Sequence, residues 1–169
     1  MKMKSLVALA LIATTAWSFP IVAQNAALEN PDAKDVLIKS EVETAVSMLQ
    51  AIYNKQQAGE MTLEQAKKLG ADVLRELKYG NEGYFWADTT EGVNIVLYGR
   101  KDVEGRNRLE DKDQKGYFYV KEFLAKGKVG GGYVNYLFSK MGETTASPKR
   151  SYVLEFKPFG WVVGSGYYL

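Results

Sequence analysis

The fold is predicted most directly by the end of the chain, Pro148-Lys-Arg-Ser-Tyr-Val-Leu-Glu-Phe-Lys-Pro-Phe-Gly-Trp-Val-Val-Gly-Ser-Gly-Tyr-Tyr-Leu169. Two runs rich in aromatic and β-branched residues, 151–156 and 161–168, flank Lys157-Pro-Phe-Gly160. Such runs on either side of a turn that contains Pro and Gly indicate an antiparallel β-hairpin. The chain therefore ends in two paired strands.

Two features of this hairpin indicate what packs against it. Tyr152, Leu154 and Phe156 alternate with other residues, which gives one apolar face that requires a core. Gly164 and Gly166 lie two residues apart in the second run. Glycine inside a strand is typical of a bulge or of the close approach of another group.

Upstream of the hairpin, the pattern predicts helices first and strands afterwards. Apolar residues recur at three- and four-residue spacing from Pro31 until Gly59, as in a long amphipathic helix. Thr62-Leu-Glu-Gln65 fits a capping box that opens a second helix, which ends near Gly80. From Gly83 onward the pattern predicts strands over 83–88, 93–98 and 133–138, with a short helix over 116–124. The predicted fold class is α+β, an antiparallel sheet with helices grouped beside it.

The first residues are predicted to be an export signal peptide. Lys2 and Lys4 precede an apolar run, and a small residue, Ala23, lies at a plausible cleavage site. Cleavage would leave residues 24–169 as one periplasmic or secreted domain, a suitable size for a single core. The alternative is an uncleaved segment, residues 6–23, that anchors the domain to the inner membrane.

Composition excludes several kinds of chemistry. The chain has no Cys and no His, which removes thiol nucleophiles, histidine triads and the usual zinc ligands. The 22 basic and 20 acidic residues become 20 and 20 once Lys2 and Lys4 are lost, so charge gives no argument for nucleic acid. We expect neither a metal nor a cofactor. A hydrolase that uses Asp111 and Asp113 stays open as a third hypothesis, although turns collect Asp for ordinary reasons.

Aromatic residues are dense in the second half of the chain. Core packing explains most of them, because aromatic side chains suit half-buried strands. However, tyrosine hydroxyls in a core need hydrogen-bond partners. Several tyrosines that converge with Arg100 and Lys149 would suit a small anion, whereas the plain alternative makes both cations exposed loop charges.

Residues 36–169 resemble the single Cache domain family, the sensory modules of bacterial receptors. The matching pieces, in the family's order, are Leu77-Lys-Tyr79, Gly83-Tyr-Phe-Trp86, Glu104-Gly-Arg-Asn107 with Asp113 and Gly116, Gly131-Gly-Tyr-Val-Asn-Tyr136, Pro148-Lys-Arg-Ser-Tyr152 and Phe159-Gly-Trp-Val-Val-Gly-Ser-Gly166. The resemblance implies a long N-terminal helix and a second helix packed beside a PAS-like antiparallel sheet of about five strands. It also implies a ligand pocket between the sheet and its covering loop and helix.

The resemblance further implies which residues bind the ligand. They are Trp86, Tyr98, Arg100, Tyr117, Tyr136, Lys149 and Tyr152. Arg100 and Lys149 would bind a carboxylate, the tyrosine hydroxyls its remaining oxygens, and Trp86 would form a wall. Many family members carry His-Pro where this chain has Tyr98-Gly99, so a histidine contact is lost. In one regular strand, Lys149 and Tyr152 would face opposite sides.

The resulting hypothesis is an exported sensory domain without catalytic activity that recognises a small anionic metabolite, a small carboxylate. We expect it to act through a separate membrane chemoreceptor or sensor kinase in signal transduction or chemotaxis, because no signalling segment follows Leu169. The alternative is a structural or interaction module that forms a homodimer through its long first helix and binds no small molecule.

Overall fold

The computed structural model describes residues 31–169. The predicted signal peptide and the segment after it, residues 1–30, lie outside the described residues. The helices are α1 (Pro31–Gln57), α2 (Leu63–Glu76) and α3 (Tyr119–Lys128). The strands are β1 (Lys78–Tyr79), β2 (Gly83–Tyr84), β3 (Trp86–Thr89), β4 (Asn94–Leu97), β5 (Gly132–Ser139), β6 (Ala146–Phe156) and β7 (Trp161–Tyr168).

Five strands form one antiparallel sheet in the order β4-β3-β7-β6-β5. The predicted terminal hairpin is β6 and β7, joined by a short 3₁₀ turn over Lys157–Phe159 and by Gly160 in the left-handed conformation (φ 67°). The α+β fold class with about five antiparallel strands is confirmed. The two-residue strands β1 and β2 form a separate small hairpin that the sequence pattern did not predict.

The sheet has a core on each face. On one face, the predicted apolar stripe of α1, including the fully buried Val42, Ala45 and Leu49, packs with α2 against the sheet. On the other face, α3 contributes Val120 and Phe123 to a second cluster. This second core contains the space where a ligand could bind.

Local interactions explain where α2 and α3 begin. The capping box is present: Gln65 N donates to Thr62 Oγ1 at 3.1 Å, and Thr62 N donates to Gln65 Oε1 at 2.8 Å. In contrast, α3 begins three residues later than predicted. Asp113 Oδ1 accepts hydrogen bonds from Lys115 N at 2.8 Å and Tyr117 N at 3.0 Å. This turn keeps the backbone before Tyr119 out of the helix.

Strand β6 begins at Ala146, earlier than the predicted start at Ser151. Lys149 therefore lies inside a regular strand, paired with Tyr136 of β5 and Tyr168 of β7. The close approach predicted at Gly164 is also present, since a side chain there would overlap the Trp86 indole. Within residues 31–169, no helix is both long and apolar enough to cross a membrane.

Candidate functional site

An inner cavity lies between α3 and the sheet. Its free volume is about 10 Å³, close to the minimum for one water molecule. Aromatic rings and two cations form most of its wall. The lining residues are Tyr84, Trp86, Leu97, Arg108, Tyr119, Phe123, Tyr136, Phe138 and Lys149.

Lys149 places a buried ammonium group at this cavity. The residue is 1% exposed, and its Nζ donates to the Tyr84 hydroxyl at 2.6 Å. Four ring centroids surround Nζ at 4.3 to 5.3 Å, those of Tyr84, Tyr168, Trp86 and Phe138. Among the described residues, no carboxylate forms a salt bridge with Lys149. Burial, together with the charge of Arg108, lowers the pKa of Lys149 from 10.5 to about 7.

Arg108 is the second buried cation, but it is already paired. Its Nη1 donates to both carboxylate oxygens of Asp88, at 3.1 and 3.3 Å, and its Nη2 donates to the Tyr119 hydroxyl at 3.4 Å. Burial opposes its charge, but the Asp88 carboxylate and Tyr119 more than offset this effect and raise the pKa of Arg108. Arg108 therefore adds a fixed positive charge near Lys149.

Three neutral donors complete the wall. Burial raises the pKa values of Tyr84 and Tyr136, so both phenols stay protonated. The Tyr136 hydroxyl lies 3.1 Å from Ser151 Oγ. Trp86 Nε1 is buried and has no hydrogen-bond partner within residues 31–169, which is costly for an N–H group. The wall of the cavity thus contains an ammonium, hydroxyls and an indole N–H that has no partner within residues 31–169.

A larger outer cleft leads to this cavity. Three aromatic residues, Tyr84, Tyr119 and Phe138, line both spaces and so form the partition between them. The cations of the cleft are Arg100, Lys112 and Lys140.

The structure separates the predicted binding residues into three groups. Trp86, Tyr136 and Lys149 line the inner cavity. Tyr98 and Arg100 line the outer cleft instead. Arg100 donates from Nε and from Nη2 to the two carboxylate oxygens of Asp102, each at 3.0 Å. The paired carboxylate clamp expected of Arg100 and Lys149 is therefore not assembled.

Two predicted residues lie in neither space. Tyr117 precedes α3 and is 40% exposed, because the Asp113 turn holds it outside the helix. Tyr152 packs in the core beneath α1 and α2, on the face of β6 opposite Lys149. Strand alternation requires this placement once both residues belong to one regular strand.

Sequence reasoning missed three polar cavity residues, Tyr84, Tyr119 and Arg108, and three apolar ones, Leu97, Phe123 and Phe138. Tyr84 could have been found, because it alternates onto the same face as Trp86. Tyr119 lines the cavity because α3 begins later than predicted, and no pattern in the sequence indicated that later start. Arg108 lies in a polar loop, and its burial depends on Asp88, a partner 20 positions away.

A five-stranded antiparallel sheet with two helices on one face and an aromatic-lined cavity beneath a third helix on the other is the architecture that the family resemblance predicts. The chain belongs to the family described as Single Cache domain 2, whose model matches residues 31–169. The family predicted from the sequence is thus confirmed.

The chain matches parts of two curated signalling proteins. The chain is 34% identical over 136 residues to the sensor histidine kinase MctS of Rhizobium johnstonii, covering 80% of this chain and 29% of the relative. It is 30% identical over 129 residues to the methyl-accepting chemotaxis protein McpP of Pseudomonas putida, covering 76% and 24%. The chain therefore spans less than a third of the length of each relative.

Solved structures agree with this assignment. A structure described as a periplasmic sensor domain of a chemotaxis protein superimposes with a TM-score of 0.76 at 28% identity, covering 89% of this chain and 99% of that one. A second, described as the structural basis for carboxylic acid recognition by a Cache chemosensory domain, gives 0.76 at 29% identity, covering 88% and 97%. The protein is thus homologous to the sensory domains of chemoreceptors and sensor kinases.

Proposed function

We propose that this Cache domain binds a short-chain carboxylate in the inner cavity, with Lys149 as its counter-ion. The observation that supports this most is a buried ammonium that has no carboxylate partner in residues 31–169. Removing such an ion from water costs several kcal/mol unless it is paired. Cation–π contacts with the surrounding rings return part of this cost, about 2 kcal/mol or more for a desolvated cation. An anionic ligand would supply the missing partner.

The other donors of the cavity suit the same ligand. A carboxylate has two oxygens, each of which can accept more than one hydrogen bond. The Lys149 ammonium, the Tyr136 hydroxyl and the unpaired Trp86 N–H offer three donors of the matching kind. We assign the direct contacts to these three residues. The family resemblance implied Lys149 and Tyr136 as contacts and Trp86 only as a wall.

The size of the cavity restricts the ligand. A free volume of about 10 Å³ holds at most one water molecule, so even an acid of a few carbons binds only if the wall moves. Tyr84, Tyr119 and Phe138 separate the cavity from the outer cleft, so we assign the opening movement to them. Because Leu97 and Phe123 also line the cavity, they offer apolar contacts to the carbon chain.

Arg100 has a different role in this proposal. Its side chain is 53% exposed and already paired with Asp102, so it is poorly placed to bind a carboxylate beside Lys149. With Lys112 and Lys140 it gives the outer cleft three cations against the two carboxylates of Asp113 and Glu143, and this excess of positive charge attracts anions. We propose that these cations and Tyr98 guide the acid to the partition.

The receptor context is also part of the proposal. The two curated relatives are a sensor kinase and a chemoreceptor. We propose that this domain works in the periplasm and transmits its occupancy to a membrane receptor of one of these kinds, without catalysing a reaction. Export by residues 1–23 would place it there.

The direct test is thermal unfolding of residues 24–169 against a panel of short carboxylates, amino acids, amines and purines. A ligand at about a hundred times its dissociation constant stabilises the domain by roughly 2.7 kcal/mol. For this size, that raises the melting temperature by about 5 to 10 °C. Short carboxylates should produce the shift, whereas amines should not.

A matched pair of substitutions tests the counter-ion. K149M should abolish the shift because the ammonium is lost, whereas K157M removes an exposed lysine and should leave the shift unchanged. If no acid shifts the wild-type domain, the carboxylate proposal fails. The alternative of an interaction module that dimerises through α1 would then be favoured.

A further inference from the structure

The residues that face the Lys149 ammonium are connected to one another across three strands. In the register of the sheet, Tyr136 of β5 pairs with Lys149 of β6, which pairs with Tyr168 of β7. Tyr136 and Lys149 line the inner cavity, and the Tyr168 ring centroid lies 4.9 Å from Lys149 Nζ. These three residues form one row on the cavity face, called here the cavity row.

A second row lies one position away on the same strands. It consists of Asn135, Arg150 and Tyr167, which also pair across the sheet. Because side chains alternate along a strand, this row faces α1. Every member of the cavity row is therefore a covalent neighbour of a residue on the opposite face.

The second row holds the beginning of α1 through one carboxylate, that of Asp35. Arg150 donates to it from Nε at 2.7 Å and from Nη2 at 2.7 Å, and the Tyr167 hydroxyl donates at 3.1 Å. Tyr133 adds a hydrogen bond at 2.9 Å to the Asp35 carbonyl oxygen. The hydrogen bond from Arg150 is the main cause of the lowered pKa of Asp35. We call the contacts of Arg150 and Tyr167 with the Asp35 carboxylate the Asp35 clamp.

We propose that the Asp35 clamp is the contact through which occupancy of the inner cavity changes the position of α1. The inference rests on the proposed ligand site. A ligand that pulls on Lys149 and Tyr168 displaces the backbone that also carries Arg150 and Tyr167. A bidentate ion pair depends strongly on orientation, so a small displacement of β6 against α1 changes its strength.

Thermodynamic linkage makes this proposal testable in both directions. If a ligand at Lys149 alters the clamp, then a change in the clamp must alter ligand affinity by the same factor. The chain supplies a matched control in the ion pair of Arg75 with Glu104. That pair has contacts of 3.0 and 3.0 Å, and its side chains are 28% and 16% exposed, against 27% and 19% for Arg150 and Asp35. Neither control residue lines the cavity or the cleft.

The first arm of the test needs no ligand. Amide hydrogen exchange over residues 32–40 is compared in the wild-type protein, K149M and E104Q. Because K149M also changes global stability, exchange is measured relative to the amides of α2. K149M should change this ratio severalfold, although Lys149 lies on the other face of the sheet, whereas E104Q should not. An equal ratio in the wild type and K149M would overturn the proposal, whether or not any acid binds.

The second arm measures the dissociation constant of propionate by calorimetry in the wild type, D35N and E104Q. D35N should change the constant about fivefold or more, the lower end of ordinary coupling between sites, and E104Q should leave it unchanged. Propionate binding that D35N does not alter, or that both variants alter equally, would refute the Asp35 clamp. Failure of every acid in the wild type would instead refute the proposed ligand, and the first arm would then decide on the clamp alone.

Discussion

Replacing Lys149 by Met should stabilise the ligand-free protein while it abolishes carboxylate binding. The wild-type residue buries an ammonium that no carboxylate of residues 31–169 neutralises. Methionine has a similar length and no charge, and apolar replacements of buried ions are often stabilising. Tyr84, the hydrogen-bond partner of Lys149, can still bond to Tyr168, so the substitution leaves no hydroxyl without a partner.

The magnitude follows from the pKa. Burial lowers the pKa of Lys149 from 10.5 to about 7, and each pKa unit corresponds to about 1.4 kcal/mol. The buried charge therefore costs on the order of 5 kcal/mol below pH 7. The surrounding rings offset about 2 kcal/mol, which leaves an expected gain of about 2 to 3 kcal/mol for K149M. For a domain of this size, that is about 5 to 10 °C in melting temperature.

The sign of the pH dependence provides an independent check. Because the folded-state pKa of Lys149 is lowered, the unfolded chain binds more protons between pH 7 and 10.5, and wild-type stability rises with pH in that window. The advantage of K149M should be largest below pH 7 and shrink above it. Urea unfolding at pH 6 and pH 9 measures both. A variant that is less stable than the wild type at pH 6, or that still binds the acid, would refute the reasoning.

Three further predictions concern the site and its support. Carboxylate affinity should fall up to tenfold per pH unit above pH 7, as the Lys149 ammonium deprotonates. Calorimetry should show a much flatter dependence of affinity on pH for K149R, because its guanidinium stays charged. G164A should lower stability by about 1 to 3 kcal/mol and weaken binding, because the new methyl group meets Trp86. In the control G132A, the atom nearest the new methyl group belongs to a flexible lysine side chain. A loss of binding in G132A equal to that in G164A would contradict this explanation. T62A should cost about 1 kcal/mol in urea unfolding through the lost cap and leave the dissociation constant unchanged, whereas a changed constant would show that α2 contributes to the site.

Most of the fold could be predicted because its signals are local. The apolar spacing of α1, the Thr62 capping box and the terminal hairpin each depend on residues that are close in sequence. The start of α3 was misplaced because Asp113 bonds to the backbone of Lys115 and Tyr117, and side-chain contacts of this kind compete with the helix. The small β1–β2 hairpin was missed because two-residue strands have no measurable alternation.

The site was predictable only in part, for a different reason. Trp86, Tyr136 and Lys149 follow from the matching motifs, but the role of each cation depends on its partners. Arg100 pairs with Asp102 two residues away and stays at the surface. Arg108 lies in a loop and is buried because Asp88, on strand β3, compensates its charge. Sequence spacing does not show which arginine gains such a partner.

Strand β6 connects these observations. Lys149 and Tyr152 belong to one family motif and were therefore both predicted to line the pocket. They lie three positions apart in one strand, so alternation places their side chains on opposite faces of the sheet. The same alternation sets Lys149 and Arg150 on opposite faces while one peptide bond joins them. If Lys149 binds the acid and Arg150 holds Asp35, the strand needs no hinge to connect ligand and helix. A displacement of its backbone is felt on both faces at once.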